Sequence, residues 1–235
     1  MTILQSLSNS PTFNLSAEEY LFSQRCDELI FLYVNEPCVI IGSNQVLENE
    51  VDVEFCKEND IQVLRRISGG GAVYHDTGNL NYCFISNRVT GRMSLDTEFL
   101  NPIIAILTEL HIDVHQGIRK DLWLPLDSKI SGTASHVSKT RELHHGTLLY
   151  DSDLYKLKKS LSPKTHEQRI RSIASVQSPV ENIRSYLKEH NHFAPDAKSF
   201  FELFIKKLLD IYCTETVSEL SREEISMIKP LYSLI

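Results

Sequence analysis

Arg65-Arg66-Ile67-Ser68-Gly69-Gly70-Gly71-Ala72-Val73-Tyr74-His75-Asp76 sets three consecutive glycines between the apolar run Ile61 to Leu64 and a second β-rich run that begins at Ala72-Val73-Tyr74. Residues without a Cβ let backbone N–H groups crowd toward a bound anion, so such a loop can cradle a phosphate. The same pattern also suits a plain hairpin turn that needs positive φ. It is not a Walker A loop, because no Gly-Lys-Ser/Thr follows. Nor is it a dinucleotide fingerprint, because the period after the glycines is that of a strand. A second signal, Lys129-Ile130-Ser131-Gly132, lies downstream.

With 235 residues and 42% hydrophobic content, the chain can bury a substantial core as one domain. A net charge of −7 argues against a general nucleic-acid binder. An acidic ligand would have to be met by a local cluster of positive charge. The five cysteines are odd in number, widely spaced and free of any C-x-x-C pair, which suggests reduced thiols in a cytoplasmic protein. There is no secretory leader pattern and no apolar stretch of the ~20 residues a membrane span needs, so no membrane partner is expected.

Periodicity predicts a helix over Phe13 to Arg25, with Ser16 and Glu19 spaced as a capping box. The runs Leu29 to Val34 and Cys38 to Ile41, separated by Asn35-Glu36-Pro37, suggest a hairpin. Val51 to Asn59 reads as a short helix, Leu80 to Ile85 as a strand and Glu98 to Leu110 as a helix. An extended His111-Ile112-Asp113-Val114-His115 would put His111, Asp113 and His115 on one face, more simply a solvated face than a metal site. Leu122 to Leu126, Lys129 to Val137 and His144 to Leu149 read as strands. Helices are expected over Asp153 to Leu161, Val180 to Lys188, Asp196 to Tyr212 and Ser221 to Met227, making the chain mainly helical from about residue 153. The polar stretch Ser162 to Arg171, with Lys164, Arg169 and Arg171, is expected to be a loop. The pattern indicates an α+β fold with a mixed, largely antiparallel sheet flanked by helices.

Four motifs occur in order: Arg65 through Asp76, then Gly78-Asn79-x-Asn81, then Lys129-Ile130-Ser131-Gly132, then Leu143-His144-His145-Gly146-Thr147-Leu148-Leu149. Together with Phe13-Asn14-Leu15, Glu18-Glu19-Tyr20, Ile40-Ile41-Gly42, Asn44-Gln45 and Ser172 to Val180, they resemble the lipoate-protein ligase A family over about the first three quarters of the chain. The resemblance implies the catalytic domain of a biotin/lipoyl ligase-like fold spanning residues 1–235. It also implies ATP-dependent activation of lipoate to lipoyl-AMP with release of pyrophosphate, then transfer to a lysine of apo lipoyl domains. Such domains are found in 2-oxoacid dehydrogenase E2 subunits and glycine cleavage H protein. By resemblance, Arg66, Gly71, Ala72, Val73, Tyr74, Asn79 and Lys129 hold the adenylate, and Ser68, Gly69, Gly70, Lys129 and His145 hold lipoate. Lys129 is the catalytic group, and Asp121 helps place Mg²⁺.

The chemistry agrees with that assignment, because a carboxylate attacking an α-phosphorus needs cations and fixed N–H donors. A lysine ammonium can follow the reacting oxygens as a compact charge. His144 and His145, adjacent on a strand, point to opposite faces. Two departures from the family pattern are Lys120 in place of a common asparagine and the expected lack of a small C-terminal domain, which would leave room for a separate accessory chain. The alternative is an octanoyl or lipoyl transferase of the same fold that needs no ATP. A thioester version of it requires a nucleophilic thiol, and no cysteine falls between Asn87 and Tyr212.

Overall fold

The structure, a computed structural model, describes residues 1–88, 97–164 and 173–235. Arg169 and Arg171 of the expected polar loop lie outside the described residues. The first strand, β1 (Thr2–Gln5), runs parallel to β2 (Leu29–Val34), with α1 (Pro11–Gln24) between them. Helix α1 starts earlier than its periodicity suggests, because Pro11 supplies a preset φ and Ser10 caps Phe13 N. The expected capping box at Ser16 therefore does not form. Ser16 lies inside the helix and bonds the Thr12 carbonyl at 2.9 Å.

β2 and β3 (Cys38–Ile41) do not form the hairpin their spacing suggests. Both edges of β2 are taken, by β1 on one side and by β6 (Asn79–Asn87) on the other, so β3 must join another sheet. Asn35, fully buried, carries the chain across. The large sheet runs β1-β2-β6-β11-β10, where β10 is Thr133–Val137 and β11 is Arg141–Leu149. Apart from the β1-β2 pair it is antiparallel.

Its central strands lack polar alternation because both faces are covered. Leu29, Phe31 and Tyr33 pack with Ala17 and Leu21 of α1, whereas Ile30 and Leu32 face the opposite core. That second core is closed by α4 (Asn101–Glu109), α6 (Ile183–Glu189) and α7 (Ala197–Ile211). The helix predicted over Glu98 to Leu110 begins as a 3₁₀ turn, Thr97–Leu100, and becomes α-helical only at Asn101, just before Pro102. Helix α6 begins only after Asn182, whose side chain is bonded to the Ser152 backbone, so Val180 stays outside it and instead bridges to Lys129.

A second sheet has β3 at its centre, flanked by β4 (Gln62–Arg65) and β5 (Val73–His75). The triglycine stretch therefore crosses over β3 and is not a hairpin turn between its two flanking strands. Short helices α2 (Leu47–Glu50) and α3 (Val53–Glu58) lead into β4, and α5 (Leu154–Ser160) packs beside β5. Leu234 N donates to the Val63 carbonyl at 2.7 Å, laying the end of the chain after α8 (Arg222–Met227) along β4.

The third sheet is β7 (His115–Gln116), β8 (Leu122–Trp123) and β9 (Lys129–Ser131). The single strand expected over Lys129 to Val137 is broken at Gly132, with β9 in the small sheet and β10 in the large one. His111 has φ 62° and stacks on His192 at 4.9 Å, so the chain turns there and reaches β7 only at His115, and residues 111–115 are not one extended face.

Candidate active site

The triglycine crossover is held by two arginines that emerge from β4. Arg65 Nη1 donates to the carbonyls of Gly42 at 2.9 Å and Gln45 at 2.8 Å, fixing the turn after β3. Arg66 turns the other way and is 6% exposed. Its Nε donates to Ser68 Oγ at 2.9 Å, Nη1 to Ile40 O at 3.1 Å, and Nη2 to Gly69 O at 2.6 Å and Gly71 O at 2.8 Å. Four of the five guanidinium donors thus organise the loop. Burial draws this guanidinium down to about 10, so it keeps its charge at neutral pH. Gly70 adopts φ +87°, a region side chains rarely enter, and a Cβ at Gly42 would strike the Gly70 carbonyl. Both glycines are required by the close stacking of these two turns.

Two adjoining cavities open on this loop. The first, about 380 Å³, runs from exposed residues at its mouth, among them Arg119, Ile173 and Val176, to a buried floor that includes Tyr33, His75, Asn81 and His145. The second, about 710 Å³, lies between β5, β9 and α5 and is bordered by Tyr74, Ile130, Leu157, Lys158 and Val180. Ala72, Val73, Lys129, Gly132 and Thr147 border both. Lys129 Nζ lies 3.0 Å from Asp121 Oδ2. Burial would raise the Asp121 carboxyl, but hydrogen bonds from Trp123 and Lys129 and the lysine's charge outweigh it and hold the group below its usual range.

The segment 173–176 forms part of the wall of the first cavity. Ala72 N donates to Ser175 Oγ at 2.8 Å, Gln45 Nε2 to the same oxygen at 3.0 Å, and Ser175 N to Glu50 Oε2 at 3.1 Å. Gln45 is held in turn, since its Oε1 accepts from Gly42 N at 2.9 Å.

The floor of the first cavity is polar and internally paired. Ser68 Oγ, which accepts from Arg66 Nε, is also hydrogen-bonded to His145 Nε2 at 2.7 Å. His145 Nδ1 then donates to Glu18 Oε2 at 2.9 Å, and Tyr33 donates to Glu18 Oε1 at 3.0 Å. Glu18, Cys83 and His145 are the one group of three with metal-ligand spacing among the described residues. The Glu18 and His145 atoms already serve one another, and burial keeps the Cys83 thiol protonated, its pKa well above the ordinary value. His111, Asp113 and His115 form no such group.

Of the residues singled out from the sequence, Arg66, Gly70, Gly71, Ala72, Val73, Asp121, Lys129 and His145 border the first cavity, and Tyr74 borders the second. Ser68 and Gly69 lie behind the wall, bonded to Arg66. Asn79 is fully buried and donates to Asn81 Oδ1 at 2.9 Å, and it is Asn81 that lines the cavity. His144 faces away, stacked on Phe99 at 3.8 Å and bonded to Ser135 at 2.7 Å.

Glu18, His75, Gln45 and Ser175 fall within the motifs that carry the resemblance but have no role assigned there, and Tyr33 reads only as part of a strand. An acid three residues from both Leu15 and Leu21 on one helix face is a signal for Glu18. The contact between Gln45 and Ser175 could not be read locally, because the two are far apart in the chain.

An antiparallel-rich sheet sandwiched by helices, with a glycine crossover and a lysine between two cavities, matches a known catalytic fold. The family model of the lipoyl protein ligase A/B catalytic domain matches residues 10–208, and the chain belongs to this family. A lipoate-protein ligase of Bacillus subtilis (strain 168) is 38% identical over 183 residues, covering 77% of this chain and 55% of the relative. The chain spans about half the length of the curated relatives it matches. Among solved structures, a lipoate-protein ligase A bound with ATP has TM-score 0.78 at 22% identity, covering 97% of this chain and 92% of the other. A chain from a bipartite lipoate protein ligase and E2 lipoyl domain system of Thermoplasma acidophilum has TM-score 0.76 at 24% identity, covering 97% and 91%. These two likenesses establish the fold. Among the described residues, no helix is long and apolar enough to cross a membrane.

Proposed function

We propose that this chain is the catalytic unit of an ATP-dependent lipoate-protein ligase. It would activate lipoate to lipoyl-AMP and pass the lipoyl group to a lysine of an apo lipoyl domain. The observation that carries this reading is the position of Lys129 on the wall common to both cavities, beside the glycine crossover. In the first cavity the apolar walls and buried floor suit the acyl chain, with its carboxylate toward Lys129. In the second, the backbone of Ala72-Val73-Tyr74 and the β9 edge suit the nucleotide. Two anions must meet for the carboxylate to attack the α-phosphorus, and the Lys129 ammonium is placed to offset both charges as negative charge shifts to the departing pyrophosphate. Arg66 acts mainly by keeping the crossover in shape, with one Nη1 donor left to face the cavity.

Asp121 can offer one carboxylate to Mg²⁺, an ion that needs few protein ligands when a triphosphate supplies the rest. When bound, the ion would neutralise phosphate charge, and Asp121 would share its own charge between the ion and Lys129. In the transfer step the target lysine must reach the mixed anhydride through the mouth beside Arg119 and Val176. Partners of this class are E2 lipoyl domains or glycine cleavage H protein, with a separate accessory chain possible in the activation step.

The test combines the purified chain, ATP, Mg²⁺, lipoate and an apo lipoyl domain, following pyrophosphate release and domain mass. Release of pyrophosphate with a lipoyl-sized mass gain is expected. Modification from an acylated carrier without ATP would instead identify a transferase, a reading weakened by the fact that none of the five cysteines borders either cavity. Modification only from synthetic lipoyl-adenylate would mean that activation needs a partner chain.

A further inference from the structure

Strand β4 is an outer strand of its three-stranded sheet, and the segment after α8 runs along its open edge. Ile228, buried in the core cluster it shares with Leu21 of α1 and Phe31 of β2, anchors the end of α8. Beyond it, Leu231 N donates to the Thr12 carbonyl at 3.4 Å, Leu234 N to the Val63 carbonyl at 2.7 Å, and Val63 N to Ser233 Oγ at 3.3 Å. Both backbone groups of Val63 are thereby paired, where a bare sheet edge would leave them to water or to another strand.

Side chains of the same segment grip β4 from both faces. Leu231 is half-buried against the cluster of Leu15, Ile40, Leu64 and Val73, of which Leu15, Ile40 and Val73 line the first cavity. Ile235 is half-buried against the cluster that holds Val63, Ala72, Tyr74 and Leu157, and the last three line the second cavity. The two anchors lie on opposite sides because Val63 and Leu64, successive residues of one strand, point to opposite faces. Between them Tyr232 is 92% exposed. Strand β4 ends at Arg65, and Arg66, whose guanidinium organises the glycine crossover, follows at once.

We propose that residues 231–235 are a positioning element of the site: clasped over the β4 edge, they hold the walls of both cavities and the start of the glycine crossover in place. The proposal rests on the ligase reading only for what the cavities bind. Strand β4 has a single partner strand, β3, and backbone bonds at an uncovered sheet edge open at low cost. With the segment seated, any movement of β4 must break the bonds at Val63 and expose Leu231 and Ile235 together. None of these five residues borders either cavity, so their effect on a ligand passes through β4.

The test is hydrogen–deuterium exchange on the full chain, read at the amides of Arg66 and Ala72, which donate to the Ile41 carbonyl and to Ser175 Oγ. Leu234→Pro removes the N–H that serves Val63, and the double variant Leu231→Ser, Ile235→Ser removes both apolar anchors. In each, exchange at these two amides is expected to rise about tenfold or more, while the amides of β6 and β11 keep their rates. Leu234→Ala, which retains the N–H, and Tyr232→Ser, whose side chain stands in solvent, should exchange as the parent does. Calorimetric Kd for ATP should weaken in the variants whose exchange is faster. Parental rates at Arg66 and Ala72 in both altered chains, an equal rise in β6 and β11, the same rise in Tyr232→Ser, or faster exchange with an unchanged Kd would each overturn the proposal. A parent chain that binds no ATP would instead defeat the ligase reading, and the exchange rates alone would then decide this one.

Discussion

Arg66→Lys keeps the positive charge and removes the fork. The guanidinium serves three carbonyls and one hydroxyl from a fixed plane, while a lysine offers three donors from a single point and is shorter. If about two acceptors are left unpaired, at roughly 1–3 kcal/mol each and toward the low end for carbonyls with a second lone pair, the cost is about 3 kcal/mol. For a chain of this size about 1 kcal/mol moves Tm by roughly 2–4 °C, so a fall of about 6–12 °C is expected. Scanning calorimetry with and without nucleotide reads it directly. The KM for ATP should rise as well, because the Gly69–Gly71 carbonyls lose their anchor and the amides of the crossover shift with them. A change in Tm below about 2 °C together with a large loss of ATP affinity would refute this reasoning. It would show that the guanidinium spends its binding on the ligand and not on the loop.

Lys129→Ala should lower the rate of pyrophosphate release by about 10²–10³, the range for losing one positioned electrostatic group, and far-ultraviolet circular dichroism should stay native. A gentle alkylating agent should label only the exposed Cys26 and Cys213 in the native state, because Cys38, Cys56 and Cys83 are buried and burial raises all three thiols; mass spectrometry counts the adducts. His75, lowered by burial to about 3, binds its proton in the unfolded chain first, so its contribution to stability is full above about pH 6.5 and is lost as pH falls toward about 3. Between about pH 6.5 and 5 this one group should cost about 2 kcal/mol, a slope that His75→Gln should remove in urea titrations. Gly42→Ala should disturb the crossover through its collision with the Gly70 carbonyl, lowering Tm and ATP affinity together in a titrated melt.

The elements with clean periodicity were legible in the sequence, and so was the chemistry of the motif residues. The apolar run Leu29 to Val34 was readable as a strand, and the helix expected over Asp196 to Tyr212 forms as α7, which buries Phe200, Phe201, Phe204 and Leu208. Pairing was harder to read. The hairpin between Leu29–Val34 and Cys38–Ile41 failed because strand β1, four residues long and without a distinctive pattern, had already taken the free edge of β2. The break at Gly132 was hidden because Lys129 to Val137 is extended on both sides of it. In the site, local spacing located the glycines and Lys129, but the floor is assembled from α1, β2, β5 and β11, whose residues meet only in three dimensions. Asn35 looked like turn chemistry and instead bonds both Asn14 and His75.

The kink at Gly132 ties the two ends of the first cavity to one piece of rigid framework. Gly132 N donates to Thr147 Oγ1 at 3.1 Å, and Thr147 N donates back to the Gly132 carbonyl at 3.1 Å. Lys129 sits three residues before this clamp, and His145 lies two before Thr147 on the paired strand. The span from the Lys129 backbone to the cavity floor is therefore set by strand geometry. If the proposed function holds, an acid a few methylenes too short would not fill the floor and present its carboxylate at once, and one too long would have to buckle, so chain length would be measured before any bond is made.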